Sequence, residues 1–191
     1  MQNPFKRQPE FDDMLVNVLK KDPKAHLLLH SEPLEDHIFL TRLQKLGGEK
    51  SRIHFIPVQP HHKLMALYAL SDVILDSYPA GGCTTTRESL EVGGLVVTLP
   101  ARYIGSRWTL VYYSIISVLD LVAKDENEYV ELAVRLGTDL NYCKEVRSKI
   151  QNNMYKMWCQ IDAVDVWSSI LERIARFNRD KDNTLPQQDE L

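Results

Sequence analysis

Cysteine is scarce: Cys83, Cys143 and Cys159 make an odd set, too widely spaced for a metal knuckle and unable to build a disulfide framework. A reducing compartment is the simpler expectation. Basic charge is not in excess either, because 23 Lys and Arg stand against 26 Asp and Glu, for a net charge of -3 and a pI near 6.1. That balance removes the broad attraction on which non-specific nucleic-acid binding depends. Long apolar runs are missing. The first thirty residues already carry Lys6, Arg7, Glu10, Asp12, Asp13, Lys20, Lys21 and Asp22, so no secretory apolar segment is visible there. The greasiest stretch, Trp108 to Ala123, includes Ser114, Ser117 and Asp120 and falls short of the ~20 residues of a spanning helix. It reads as a buried helix. Two nucleotide fingerprints are also absent, Gly-x-Gly-x-x-Gly after a first strand and Gly-x-x-x-x-Gly-Lys-Ser/Thr.

What is present is the composition of an ordinary globular protein, 44% hydrophobic and 26% charged over 191 residues. One core of that size buries about 70% of the surface of the unfolded chain, so neither disulfide nor structural metal is required. Apolar residues at Phe11, Met14, Leu15, Val18 and Leu19 recur at spacings of three and four and predict a helix over Pro9 to Leu19, stopped by Pro23. His26 to His30 is a short apolar run of the kind a parallel strand covered on both faces shows. Helical spacing over Leu34 to Leu46 ends at Gly47-Gly48, and Ile53 to Ile56 is a second strand closed by Pro57. His62 to Leu70 is helical, Asp72 to Leu75 strand-like, Thr84 to Val92 helical, and Leu95 to Leu99 the most strand-like run of all. Such alternation implies right-handed crossovers, hence an α/β fold with a parallel sheet and helices on both faces. Three further helices are expected over Asp125 to Leu136, Val146 to Met157 and Val164 to Phe177. From Arg179 almost nothing can be buried, which gives a domain over residues 1–178 and a disordered tail over 179–191.

In open parallel sheets ligands bind outside the carboxyl ends of the strands, where loops lead into helix starts. The loop after Leu75 runs from Asp76 through Gly81-Gly82-Cys83-Thr84-Thr85-Thr86-Arg87-Glu88. Two glycines permit close backbone approach, and three threonines place hydroxyls where helical N–H groups face outward, an arrangement that favours an anion such as phosphate. Glu88 would repel that anion if it faced it, but it can accept from the hydroxyls of an attached sugar. A nucleotide offers both groups. The same spelling also describes an ordinary capped turn in which Glu88 complements the helix dipole.

Phe5-Lys6-Arg7-Gln8-Pro9-Glu10-Phe11, the loop Gly81 to Glu88 with Leu90 and Gly93, Val96-Val97-Thr98-Leu99-Pro100 and Ser106-Arg107 resemble, in order, the O-linked N-acetylglucosamine transferase family. Leu119 to Ala123, Glu128-Tyr129, Ala133 to Asp139 and Val146-Arg147 continue the match, which runs from about Asn3 to about Phe177. It covers only the C-terminal half of the family's catalytic region. The resemblance implies a Rossmann-like domain of the GT-B architecture, a UDP-sugar as donor substrate with UDP-N-acetylglucosamine foremost, and no metal or other cofactor. It also implies a protein acceptor, an N-terminal catalytic half and tetratricopeptide repeats in a full-length enzyme, and a soluble cytoplasmic or nuclear setting without nucleic-acid or membrane partners. On that reading this chain is a fragment without those parts.

Carried over by position, Lys6 matches the family lysine on the diphosphate and serves catalysis by stabilising it, Thr84 and Thr85 match the threonine pair at the phosphate-binding helix, and Glu88 stands where an acidic residue meets the ribose. Read without the resemblance, Lys6 would be a solvated surface lysine. Cys83 occupies the position where animal enzymes have histidine. Asn3 replaces a glutamine, Leu95 a proline and Ala101 a glycine. In the stretch Pro57 to Leu64, Gln59 keeps a backbone contact to the base and His61 stands in for a lysine, whereas Leu64 cannot replace a histidine.

Other residues weigh less. His26 and His30 would suggest a metal on a helix, but on a strand they lie about 13 Å apart. Cys83 has no histidine beside it in sequence to activate a thiol nucleophile, and Trp108, Trp158 and Trp167 read as core or domain-interface residues. The function expected is donor-nucleotide binding for glycosyl transfer to protein Ser/Thr. The alternative is a non-catalytic nucleotide-sugar-binding or interaction module, and a nucleotide-sugar epimerase of the same architecture stands third.

Overall fold

The computed structural model describes residues 6–158 and 160–182. The chain divides into a first unit ending at Tyr155 and a second beginning at Lys156. In the first, helix α1 (Pro9–Lys21) starts with proline, carries Glu10 and Asp12 in its first turn and Lys20 and Lys21 in its last, a charge order that suits the helix dipole. Its buried face, Phe11, Met14, Leu15, Val18 and Leu19, packs against α6 (Glu126–Thr138) and α2 (Asp36–Lys45). Phe11 meets Tyr129 of α6 edge to face, with ring centroids 6.0 Å apart. Arg42 of α2 holds the buried Asp12 through two bonds of 2.7 Å, a bidentate pairing that fixes the angle between the two helices.

Strands β1 (Leu27–His30) and β2 (Ile53–Ile56) pair in parallel, with Leu27 opposite Ile53. Strands β3 (Ile74–Leu75) and β4 (Val96–Val97) pair likewise, Ile74 opposite Val96. Helices α3 (His61–Leu70), α4 (Thr84–Glu91) and α5 (Trp108–Ile115) alternate with the strands in the expected order. The α/β class with parallel pairing therefore stands, with two differences. The sheet is parted: β1 and β3 are not bonded to each other, and a cavity of about 510 Å3 lies between them, lined by the two strands with Phe11, Leu15 and Tyr68. And only β4 is buried on both faces. In β1, Leu27 is buried but Leu28 is 45% exposed, so the strand expected to be doubly covered has one open face.

The helix expected over Trp108 to Ala123 ends at Ile115. Ser117 takes φ 58°, and this left-handed residue ends the helical run and turns the chain back beside Thr98. There Thr98 donates to the Leu121 carbonyl at 3.0 Å and Ala123 donates to the Thr98 carbonyl at 2.8 Å, so Val122 bridges in parallel to Thr98 beside β4. The β-branched Val118 and Val122 suit that geometry. Helix α6 is capped by Asp125, whose side chain accepts from the Glu128 N–H, and α7 (Leu140–Asn153) by Asp139. A 3-10 turn, Met154–Met157, replaces the end of the helix expected there.

The second unit contains α8 (Ile161–Asp182), with Val164, Trp167, Ile170, Leu171 and Ile174 at helical spacing. Residues 179–182 of the expected tail are thus helical, and the rest of it lies outside the described residues. Of the tryptophans, Trp108 opens α5 and is 37% exposed, not a core residue, while Trp158 and Trp167 belong to the second unit. Among the described residues no helix is long and apolar enough to cross a membrane.

Candidate functional site

β3 ends at Leu75, and the chain enters a loop that closes on the start of α4. The loop is held from below by Asp76, which is 2% exposed. Its Oδ1 accepts from the Gly82 N–H at 2.6 Å, and its Oδ2 accepts from the hydroxyls of Thr109 at 2.6 Å and Thr98 at 2.8 Å. The Tyr129 hydroxyl donates to the Asp76 carbonyl at 2.8 Å. Burial pushes the Asp76 carboxyl above the usual carboxylate range, opposed by the bonds from Thr109, Gly82 and Thr98 and by the charge of Lys6. Gly81 is dictated by the same carboxylate: a Cβ there would sit 2.9 Å from Oδ2. The Gly81 N–H donates to the Gly105 carbonyl at 3.0 Å, which ties the loop to the segment before α5.

On this platform Lys6 Nζ donates to the Gly81 carbonyl at 2.5 Å, bringing a cation from 75 residues away onto the loop. Cys83 is the N-cap of α4 and gives it no side-chain bond. Its sulfur lies 3.4 Å from the Tyr112 hydroxyl of α5. Burial and the neighbouring Cys83 raise that phenol to about 12, so it stays protonated at neutral pH. Thr84, exposed, and Thr85, half-buried, form the first turn, while Thr86 points inward, 3.3 Å from the Thr109 hydroxyl. The helix start thus offers N–H groups, hydroxyls and an ammonium in one place, the chemistry of a phosphate site.

One turn further along α4, Glu88 Oε1 lies 3.3 Å from His61 Nε2 at the start of α3. Two residues singled out separately in the sequence therefore meet. The carboxylate is mostly buried and the imidazole mostly exposed, so the pair forms a polar rim that can accept from and donate to vicinal hydroxyls. Below it, burial, with the charge of Glu88 as a second cause, raises the Tyr68 phenol to about 12. Gln59, two residues before His61, turns its amide onto the Pro57 carbonyl at 2.8 Å, which folds the β2–α3 loop.

The geometry thus joins Lys6 to Gly81, Cys83 to Tyr112, and Glu88 to His61, with Thr84 and Thr85 in the first turn of α4. Asp76, Thr98 and Thr109 received no role from the sequence. The available signal was an acid directly after a strand and before a Gly-Gly turn, where a buried acceptor would hold the turn's N–H groups. Among the described residues no group of three or more His, Cys, Asp and Glu could hold a metal.

Residues 2–163 match the model of glycosyl transferase family 41. The chain is 33% identical over 159 residues to a probable UDP-N-acetylglucosamine–peptide N-acetylglucosaminyltransferase SPINDLY of Oryza sativa subsp. japonica, covering 81% of this chain and 17% of that protein. It is 34% identical over 148 residues to the UDP-N-acetylglucosamine–peptide N-acetylglucosaminyltransferase of Caenorhabditis elegans, covering 76% of this chain and 13% of that one. In structure it is similar to a mutant Thermobaculum terrenum O-GlcNAc transferase, with a TM-score of 0.76 and 27% identity, over 90% of this chain and 34% of the other. The chain therefore spans between about an eighth and a sixth of the curated relatives and about a third of the solved one. An α/β unit that sets a lysine on a glycine turn before α4, with this sequence and this fold, belongs to glycosyl transferase family 41.

Proposed function

We propose that this chain binds the donor of a protein O-glycosyltransferase, UDP-N-acetylglucosamine, for transfer of the sugar to protein Ser or Thr. The observation that carries the reading is Lys6 on the Gly81 carbonyl, because it puts a cation beside the start of α4 although nothing in the local sequence demands one there. The diphosphate lies across Gly82, Cys83 and the first turn of α4, where Thr84 and Thr85 add hydroxyls. The ribose reaches Glu88 and His61, and the base lies along the β2–α3 loop near the Gln59 backbone.

In the transfer, the acceptor hydroxyl oxygen bonds to the anomeric carbon as the bond from that carbon to the diphosphate oxygen breaks. The electron pair leaves with UDP and the acceptor oxygen gives up its proton to solvent, so negative charge grows on the diphosphate. Lys6 and the N–H groups of α4 are fixed before that charge develops, and fixed donors at a developing charge are worth about 3 kcal/mol each in comparable sites. The Asp76 network supports them by holding the turn in one shape.

Alignment of the acceptor on the anomeric carbon belongs to other parts of the family's longer members; positioning of that kind supplies about 7–11 kcal/mol of barrier lowering. The test incubates the purified chain with labelled UDP-N-acetylglucosamine and an acceptor peptide, alone and with the N-terminal catalytic half of a relative. Transfer that appears only in the mixture, and falls when Lys6 is replaced by Ala, is expected. Turnover by the chain alone as a monomer places acceptor alignment within this chain, and a mixture indifferent to Lys6→Ala overturns the donor-site assignment.

A further inference from the structure

A second cluster of chemistry-bearing groups stands away from the donor loop. His26 Nδ1 and His54 Nε2 are 2.9 Å apart, with the two rings stacked at 5.1 Å between centroids and 30° between planes. Both residues are exposed. The backbone explains the meeting. His54 is opposite Leu28 in the parallel β1–β2 register, and His26, two residues before Leu28, shares its face, so the histidines are diagonal neighbours on the open side of the strand pair. Leu27 and Ile53, on the other side, are buried and hold the register.

The geometry points to a two-histidine chelate for a divalent transition metal ion, Zn2+ being the probe of choice. With metal–nitrogen bonds of about 2.0–2.1 Å, a separation of 2.9 Å subtends about 90° at the ion, and opening it by about 0.4 Å gives the tetrahedral angle. Rings on an exposed strand face have that freedom, and water fills the other positions. Without metal, one ring donates its N–H to the other's lone pair. On binding, that proton passes to the far nitrogen of its own ring, a tautomer change that frees both facing lone pairs without net proton release. Imidazole pairs select Zn2+, Ni2+ or Cu2+ over Mg2+, which prefers oxygen.

The site differs from the donor site in place and in consequence. His26 precedes β1 and His54 is the second residue of β2, so both stand at the amino ends of their strands, whereas the donor loop leaves the carboxyl end of β3. The ion clasps two strands 28 residues apart and stabilises the folded unit instead of touching the donor.

The experiment titrates the tag-free protein with ZnCl2 against a chromophoric chelator, beside His26→Gln, His54→Gln, His30→Gln and His62→Gln variants, and follows the melting temperature with and without Zn2+. Because a chelate gains an effective concentration that a single ligand lacks, either His26→Gln or His54→Gln weakens the site by about 100-fold and abolishes the Zn2+-dependent rise in melting temperature. His30→Gln and His62→Gln leave both intact, and MgCl2 produces neither effect. Binding that survives His54→Gln, falls equally in all four variants or is matched by Mg2+ overturns the proposal. Melting without Zn2+ shows whether each variant is folded, so loss of the site is distinguished from loss of the protein.

Discussion

Replacing Asp76 by Ala probes the platform beneath the loop. The substitution removes the common acceptor of the Gly82 N–H, the Thr98 hydroxyl and the Thr109 hydroxyl. A buried donor left without its acceptor costs about 1–3 kcal/mol. Gly82 N–H is fixed in the turn and bears the full penalty, whereas Thr109 can turn toward Thr86, 3.3 Å away, and recover part of its share. The sum is about 3–5 kcal/mol, a large fraction of the ~5–15 kcal/mol by which a domain is stable. Asp76→Asn is the contrasting case. Its carbonyl can keep the Gly82 bond while its NH2 group donates to both threonine oxygens, and the Thr109 hydroxyl hydrogen can turn to Thr86, which leaves only the Thr98 hydroxyl hydrogen to find a new acceptor and a loss of about 1–3 kcal/mol, below that of the Ala variant. Urea unfolding of the three proteins at pH 7 reads these differences directly. An Ala variant within 1 kcal/mol of the parent, or an Asn variant as unstable as the Ala one, would refute the reasoning about that network.

Glu88→Ala should weaken UDP by about 1.5–3 kcal/mol, the range for bonds to a charged group, and leave pyrophosphate unchanged or tighter, since a negative charge near an anion has gone; calorimetry with both ligands checks this, and equal weakening removes the ribose role. Burial pushes the Asp36 carboxyl up, but the Ser31 hydroxyl, the Glu32 N–H and Arg7 together hold it below the usual range. Because its folded pKa is the lower one, the stabilisation is complete above the ordinary carboxylate pKa near 4 and disappears as pH falls through the lowered value. The gap in unfolding free energy between parent and Asp36→Asn should therefore be full at pH 7 and shrink below about pH 4; a gap that does not change with pH contradicts the assignment.

How much of this was legible in the sequence depended on how local the cause was. The alternation of α1 to α5 with β1 to β4 followed from spacing and from stops at Pro23, Gly47 and Pro57, all encoded within a few residues. The bend after Ile115 was hidden because Trp108 to Ala123 is apolar throughout and its turn rests on one serine in the left-handed region. The parting of the sheet between β1 and β3 depends on packing between distant segments, which no periodicity reports. Within the site, the loop from Gly81 to Glu88 was readable from its turn chemistry, and Lys6, His61 and Gln59 only through the family resemblance. Asp76 escaped because one acid after a strand looks like a solvated turn residue; its burial needs Thr98, Thr109 and Gly82 folded around it.

On the proposed function, Lys6 and the start of α4 hold the diphosphate of a uridine nucleotide. Isothermal titration of the purified chain with UDP, ADP, GDP and NAD, repeated on Lys6→Ala, tests it most directly. UDP is expected to bind in preference to the other three, and Lys6→Ala to weaken it by about 1.5–3 kcal/mol, the worth of a charge-assisted contact to phosphate. Equal affinity for the four nucleotides, or UDP binding untouched by the loss of Lys6, would contradict it.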